Sequence, residues 1–206
     1  MQALGAAKIG DTVPLPPAAA IGKLSLEQAV AQRRSCRHFR ADPLTLAQVS
    51  QLLWAAQGIT HDRELRAAPS AGACYPLELY LVCADGVFRF LPRQHALVKT
   101  AGDDRRQVLA RAALGQSFIA QAPATIAFAA VYERTTKRYG ERGVRYVHMD
   151  AGAAAENVHL QAEALDLGSV AVGAFDDDEV GKALDLPNDE HAIYLIPVGH
   201  RGGGAA

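Results

Sequence analysis

The chain has little cysteine, no long apolar run and no excess of charge of either sign. Its 206 residues include three cysteines, at positions 36, 74 and 83, with no C-x-x-C pair. An odd count of this kind suits a reducing compartment with free thiols better than a secreted disulfide scaffold, so no disulfide is expected. The opening residues, MQALGAAKIGDTVPLPPAAAIGKLSL, lack the continuous apolar stretch of a signal peptide. Nothing downstream approaches the roughly 20 apolar residues of a membrane span. A cytoplasmic protein with no membrane partner is the expectation. The formal net charge of −1 and a pI near 6.6 give no basic field of the sort that nucleic acid or acidic lipid selects. The seven histidines show no H-x-x-x-H spacing, and the acidic run Asp176 to Asp178 lacks the ligand periodicity of a calcium loop. No metal site is expected, and no G-x-x-x-x-G-K-[ST] phosphate loop occurs. Internal repeats are also missing.

What is present is ordinary globular composition, 50% hydrophobic and 21% charged, in a length that suits one domain. Pro14, Pro16 and Pro17 cannot hold a regular helix, so residues 1–22 read as an extended arm, residues 23–200 as the domain and residues 201–206 as a flexible tail. Ser25 is a plausible cap for a helix with Leu26, Ala29 and Val30 at helical spacing. Thr45 caps a second helix whose stripe is Leu46, Val49, Leu52, Leu53 and Ala56, with Gly58 as its stop. Leu77 to Cys83, a turn at Ala84-Asp85-Gly86, and Val87 to Leu91 read as a β-hairpin. RRQVLARAALGQSFIAQ is helical again. PATIAFAAV, with its β-branched Thr125, Ile126 and Val131, reads as a strand covered on both faces.

YERTTKRYGERGVRYVH predicts a solvated helical segment broken around Gly140 or Gly143, with Glu133/Lys137 and Glu141/Arg145 at i,i+4. A long Ala-rich helix follows, with Ala154, Val158, Ala162 and Leu165 on one face. SVAVGAF reads as a short strand, DDDEVGKAL as an acid-capped helix and HAIYLIPVG as the last strand. The sum is an α+β domain with a central sheet layered by helices.

Within AQRRSCRHFRADP, Arg33, Arg34, Arg37, His38 and Arg40 crowd together with no acid before Asp42. Guanidinium forks of this kind bind phosphate oxygens bidentately and a serine adds a shorter donor, although a solvated basic helix end explains the same residues. Likewise PSAGACYP is a loop of small residues that lets a backbone approach a planar ligand, or simply a turn before a strand. Cys74 and Cys36 have no forced catalytic partner and read as small thiols.

Together RRSCRHF, PSAGACYPLELY, AGAAAENVHLQAEALDLGSVAVGAF and the closing LIPVG, in that order from about Leu24 to Gly199, resemble the FMN-dependent nitroreductase superfamily. They resemble in particular its branch of thiazoline and oxazoline dehydrogenases of peptide modification and their stand-alone relatives. The resemblance implies a three-layer α/β/α fold with a central mixed, largely antiparallel sheet, and a homodimer with flavin at the interface. It implies FMN as cofactor, with phosphate and ribityl chain held by Arg33, Arg34 and Ser35 and the pyrimidine edge met by Arg37. The family loop beside the flavin ring, often from the other subunit, falls on Pro69, Ser70, Ala71 and Gly72. Backbone groups facing flavin N5 and O4 fall on Gly173 and Ala174, with Phe175 beside them.

Many relatives place an acid followed by glycine at that last motif, so only backbone contacts carry over. Gln116 is a candidate for the N3 or O4 edge, or else an exposed helical glutamine, and Arg201 is a candidate for charge at the phosphate. Tyr139, Arg142 and Arg145 are candidates for a wall on the substrate side. The Ala-rich helix from Gly152 to Leu167 is the candidate dimer core. No side chain is assigned as catalytic, since the cofactor carries the chemistry.

Three activities stay open on this reading. The first is an FMN oxidoreductase taking hydride from NAD(P)H through flavin N5 to a small nitroaromatic or quinone acceptor. The second is an azoline-ring dehydrogenase passing electrons to oxygen. The third is a flavin-binding module without turnover. Relative to several relatives the chain has Asp150, Gly152, Ala153 and Glu156 ahead of Asn157, which weakens the peptide-oxidising alternative.

Overall fold

A computed structural model describes residues 2–203, with backbone alone at residues 2 and 3. Its elements are α1 (Gln2–Ala6), β1 (Thr12–Pro14), α2 (Leu26–Gln32), α3 (Leu46–Gln57), β2 (Leu77–Cys83), β3 (Gly86–Leu91), β4 (Ala96–Ala101), α4 (Arg106–Ala112) and α5 (Ser117–Gln121). There follow β5 (Ala124–Ala130), α6 (Glu133–Tyr139), α7 (Arg142–Ala164), β6 (Leu167–Ser169), α8 (Asp177–Leu184) and β7 (His191–His200).

The strands form one sheet in the order β1-β4-β3-β2-β5-β7-β6, and every pair of neighbours runs antiparallel. β2 and β5 sit at the centre, where alternate side chains enter two cores, so their residues are apolar on both faces. Leu77, Leu79, Leu81, Ile126 and Phe128 pack toward α3 and α7; Tyr80, Val82, Ala127 and Ala129 pack toward α4, α5 and α8. The α+β, three-layer arrangement is therefore built by the period-two alternation of buried residues. α7 fits closely over its layer because Ala151, Ala154, Val158 and Ala162 let it approach α3 and the sheet.

Several local expectations change. The first residues include the short helix α1, and β1 joins the sheet edge by pairing with β4, because Thr12 and Val13 can complete a ladder that Pro14 then ends. Arg201, Gly202 and Gly203 continue along the domain, Arg201 bridging Phe39 and Gly202 donating to the His38 carbonyl at 2.8 Å. Residues 204–206 of the expected tail lie outside the described residues. The helix expected across RRQVLARAALGQSFIAQ is two, separated by left-handed Leu114 (φ 58°) and Gly115 (φ 74°). The segment after β5 breaks at Gly140, and Glu141 makes no ion pair with Arg145 among the described residues, whereas Glu133 pairs with Lys137 at 3.1 Å.

The strand expected at SVAVGAF begins earlier, at Leu167, and beyond it only Val172 bridges back, to Leu195. On α2 only Ala29 is buried, while Leu26 and Val30 are 64% and 58% exposed. The small-residue face of α7 assigned to a dimer core is consumed inside the chain, since Ala154, Val158 and Ala162 are all fully buried there. Among the described residues no helix is long and apolar enough to cross a membrane.

Candidate functional site

The arginine segment is shaped by how α2 ends. A reciprocal cap between Ser25 and Gln28 starts the helix. At Arg33 the N–H still reaches the Ala29 carbonyl at 2.9 Å, but ψ swings to 121° and the chain becomes extended. From there Cys36 donates to the Ser169 carbonyl and Arg40 to that of His200, both at 2.9 Å. Ser35 forms a parallel bridge with Ser169, and Phe39 an antiparallel one with Arg201. The segment thus lies along β6 and the end of β7, with Arg34, Ser35 and Arg37 turned out to solvent and Arg33 half-buried.

These donors are largely unspent. Arg34 donates only to the carbonyls of Ala31 and Arg33, at 3.1 and 2.7 Å. Arg37 stacks over Phe118, its guanidinium carbon 5.9 Å from the ring centroid. The carboxylate nearest Arg33 is Glu156, at 4.0 Å. Among the described residues Arg34 and Arg37 have no acidic partner, in contrast to Arg40, which pairs with Asp42 at 2.5 Å. One short segment therefore presents several guanidinium groups and a serine hydroxyl with little local carboxylate to neutralise them.

Beneath this segment lies a polar layer that sequence reading did not single out. His159, on α7, is 7% exposed and its Nδ1 is 2.8 Å from the Ser169 Oγ. Burial, helped by Arg33, holds its pKa below the usual histidine range against the opposing pull of Glu156 and Glu163. Glu163 is also buried and takes the Arg201 guanidinium at 2.5 Å, while Arg201 donates at 3.1 Å to the Leu167 carbonyl. The Arg201 Nη2 is therefore engaged in fixing β6, while its Nε and Nη1 have no acceptor among the described residues. Gly168 is needed where it stands, because a Cβ there would sit 2.5 Å from the Cys36 Sγ.

The third motif joins the same surface. After Val172 bridges to Leu195, Gly173 and Ala174 leave the sheet exposed, and neither N–H has an acceptor among the described residues. Gln116 reaches across to them, its Nε2 donating to the carbonyls of Ala113 and Ala174, both at 2.9 Å. Its amide hydrogens are thus committed to backbone, leaving Oε1 as its free polar atom. Phe175 is half-buried and, like Phe118, packs against the second core. Phe118 and Gln116, two residues apart, thus link the arginine segment to residues 173–175.

Pro69 to Gly72 do not join them within one chain. The register aligns Cys83, Ala124, Val198 and Ser169 across one end of the sheet, next to the arginines. The loop precedes Leu77, which aligns with Ala130 and His191 at the other end. Six residue steps along β2 separate the two rows by roughly 20 Å.

The loop itself is tightly constrained. Gly72 has φ 60°, and non-glycine Ala73 and Tyr75 also adopt left-handed φ of 53° and 47°. Such conformations persist when their surroundings over-determine them. Here Tyr75 N–H donates to the Ser70 Oγ at 2.9 Å, Arg134 donates to the Tyr75 carbonyl at 3.1 Å, and Arg138 to the Gly72 carbonyl at 3.2 Å. A Cβ on Gly72 would lie 2.5 Å from the Tyr139 hydroxyl. Tyr139 packs edge-on against Tyr146 at 5.2 Å, and Arg142 lies 5.9 Å from the Tyr146 ring centroid, so these members of the expected wall cluster at this loop and not at the arginines.

Residues 30–200 match the model of the nitroreductase family. MJ1384 of Methanocaldococcus jannaschii, which bears a nitroreductase name, is 44% identical over 201 residues, 94% of this chain and 99% of that protein. The microcin B17-processing protein McbC of Escherichia coli is 25% identical over 142 residues, 64% of this chain and 52% of that one. A crystal structure from Ralstonia eutropha JMP134, also bearing a nitroreductase name, superposes with a TM-score of 0.85 at 28% identity, covering 94% of this chain and 90% of that one. The NADPH:FMN oxidoreductase of Vibrio harveyi, solved with NAD+, shares the fold at a TM-score of 0.65 and 21% identity, covering 85% and 68% of the two chains. A family match across most of the domain, and a relative aligned along nearly all of both chains, place this protein in the nitroreductase family of oxidoreductases.

Proposed function

We propose that the protein is an FMN-dependent oxidoreductase that acts as a homodimer, moving electrons from NAD(P)H to a small electron-poor acceptor of nitroaromatic or quinone type. The observation that carries this reading is the pairing, through Phe118 and Gln116, of unneutralised Arg34 and Arg37 beside Ser35 with the open N–H groups of Gly173 and Ala174. That donor set has a cationic end and a neutral end, which fits a phosphate joined to a flavin ring. Bound FMN supplies the two-electron redox chemistry, accepting from the nicotinamide and delivering to the acceptor.

The chain's own residues bind and tune. Arg33, Arg34 and Ser35 hold the phosphate and ribityl chain, and Arg37, steadied by Phe118, places positive charge at the pyrimidine edge, where it favours electron uptake. Gly173 and Ala174 offer N–H donors to the N5 and O4 edge. Gln116 fixes the Ala174 peptide and leaves Oε1 to accept from N3–H.

The dimer follows from the separation of Pro69 to Gly72 from the arginines. A second chain can bring its loop to the face that one chain leaves incomplete. The surface suited to it is the apolar groove of about 650 Å³ lined by Ile21, Leu26, Trp54, Leu160 and Leu165, which runs directly into the arginine segment through α2. Exposed Val30, on the next turn from Leu26, extends it.

A second reading, oxidation of azoline rings in a modified peptide with oxygen as acceptor, is favoured by the similarity to McbC, of which the chain spans about half. Anaerobic addition of NADH and then NADPH to the flavin-loaded protein separates the two. Bleaching of the flavin bands supports the reductase, and bands that resist both nicotinamides support the ring dehydrogenase. A flavin reduced but never reoxidised by nitroaromatics, quinones or oxygen would indicate a binding module.

A further inference from the structure

Asp150 sits in the middle of α7, under the Ser70–Gly72 loop and far along the sheet from the arginines. It is 7% exposed. One carboxyl oxygen, Oδ1, accepts the Ala71 N–H at 3.3 Å. The other, Oδ2, is buried without a hydrogen-bond partner among the described residues. Among the described residues no lysine, arginine or histidine pairs with it, and the polar groups that bear on its carboxyl are the Ser70 hydroxyl and the Ala71 N–H. A buried carboxylate with no cation and an empty oxygen costs more than the neutral acid, whose unpartnered oxygen carries no charge. The loop above it holds three left-handed residues within four positions, two of them not glycine, so it needs external restraint.

We propose that Asp150 is a positioning residue that, through Ala71, holds the Ser70–Gly72 loop in the conformation in which it completes the flavin site. Its burial without a cation favours the neutral acid in that role. Arg138 and Tyr139 hold the loop from α6 on its outer side and Asp150 holds it from α7 below, so the loop is clamped between two helices. Burial raises the Asp150 pKa above the usual carboxylate range, with Ser70 and the Ala71 N–H opposing. An acid whose folded pKa is raised stabilises the fold below its unfolded pKa and loses that contribution as pH rises through the folded value. Ionisation therefore places an unpaired charge beneath the loop and loosens it from the alkaline side. The functional half of this inference rests on the FMN reading above; the loop restraint does not.

Asp150→Asn keeps the Oδ1 acceptor and cannot ionise, while Asp150→Ala removes the acceptor. Two measurements on each protein across pH test the proposal: hydrogen exchange at the Ala71 amide without flavin, and the dissociation constant for FMN. In the native protein, Ala71 protection and FMN affinity should fall together as pH rises through the Asp150 ionisation. Asp150→Asn should hold both constant over that range, and Asp150→Ala should exchange faster and bind about tenfold more weakly than the native protein below that ionisation. Equal Ala71 exchange in Asp150→Ala and the native protein, or an Asn variant as pH-dependent as the native one, would overturn it. Exchange that follows the expectation in a protein that takes up no FMN would leave the clamp standing and reject the flavin reading.

Discussion

The Gln116 side chain donates to the Ala174 carbonyl at 2.9 Å across 58 residues of sequence, tying the turn before α5 to the exposed peptide that follows Val172. One glutamine so links the start of α5, where Phe118 supports Arg37, to the donors proposed for the flavin ring. Replacing Gln116 by Ala should cost about 1 kcal/mol of stability, as expected for a neutral hydrogen bond. It should also slow flavin reduction by NAD(P)H more than it weakens FMN binding, since the phosphate ligands are untouched. Stopped-flow bleaching beside a fluorescence titration of FMN measures both; a loss confined to affinity would contradict this role.

Gly168→Ala tests the arginine segment without altering any polar group. The new Cβ would lie 2.5 Å from the Cys36 Sγ and 2.7 Å from its Cβ, so the Ser35–Ser169 bridge must shift. FMN affinity should fall at least tenfold, with a stability loss of about 1–3 kcal/mol from overpacking. Gly181→Ala, in α8 where a Cβ would meet nothing within 4 Å, is the contrasting substitution. It should raise stability by up to about 1 kcal/mol and leave FMN binding unchanged. Matching FMN affinities in the two variants would remove Ser35 from the site.

His159 should make the protein less stable in mild acid. Its pKa is lowered by burial, so the folded state favours the neutral ring that meets Ser169. A group depressed in this way contributes stability above its unfolded value, about 6.5, and loses it as pH falls through the folded value. The urea midpoint of the native protein should therefore drop between pH 7.5 and pH 5 by more than that of His159→Asn, which cannot take up the proton. Parallel midpoints in the two proteins would show that other groups govern the acid limb.

The dimer can be tested at Leu26, which is 64% exposed on α2. Leu26→Glu costs little in an isolated chain, because the side chain already faces solvent. Across an apolar interface it buries an unpaired charge. Light scattering should show a dimer for the native protein and a monomer for the variant, with FMN affinity lost in parallel. A monomeric native protein that still binds FMN would refute the two-chain site.

Much of this organisation was legible in the sequence where local rules decide it. Ser25 and Thr45 announced caps that the structure forms with Gln28 and Gln48, and the unbroken apolar run at residues 124–130 announced a strand buried on both faces. The arginine segment and Gly173-Ala174 stood out as parts of a family pattern, and in the structure Arg37 stacks on Phe118 while Gln116 ties to the Ala174 carbonyl. What pattern could not show was tertiary competition for the same side chains. Arg201 looks like a free cation in sequence, yet the buried Glu163 claims it. The alanines of α7 look like a dimer seam, yet α3 and the sheet cover them first. β4 escaped notice because six residues of mixed polarity, ALVKTA, carry little alternation of their own and are held by pairing with β3. Asp150 stood out only in the family comparison and His159 not at all, since burial of a lone polar residue is decided by chain segments far away in sequence.

The most direct test of the central claim is a titration of the apoprotein with FMN, followed by flavin fluorescence, for the native chain and for the Arg33→Ala, Ser35→Ala double variant. The native protein should bind one FMN per chain. The double variant should bind at least a hundredfold more weakly while keeping an unchanged far-UV circular dichroism spectrum, which corresponds to about 2.7 kcal/mol of lost charge-assisted contacts. Equal binding by the two proteins, or no binding by either, would mean that the arginine segment does not hold the cofactor.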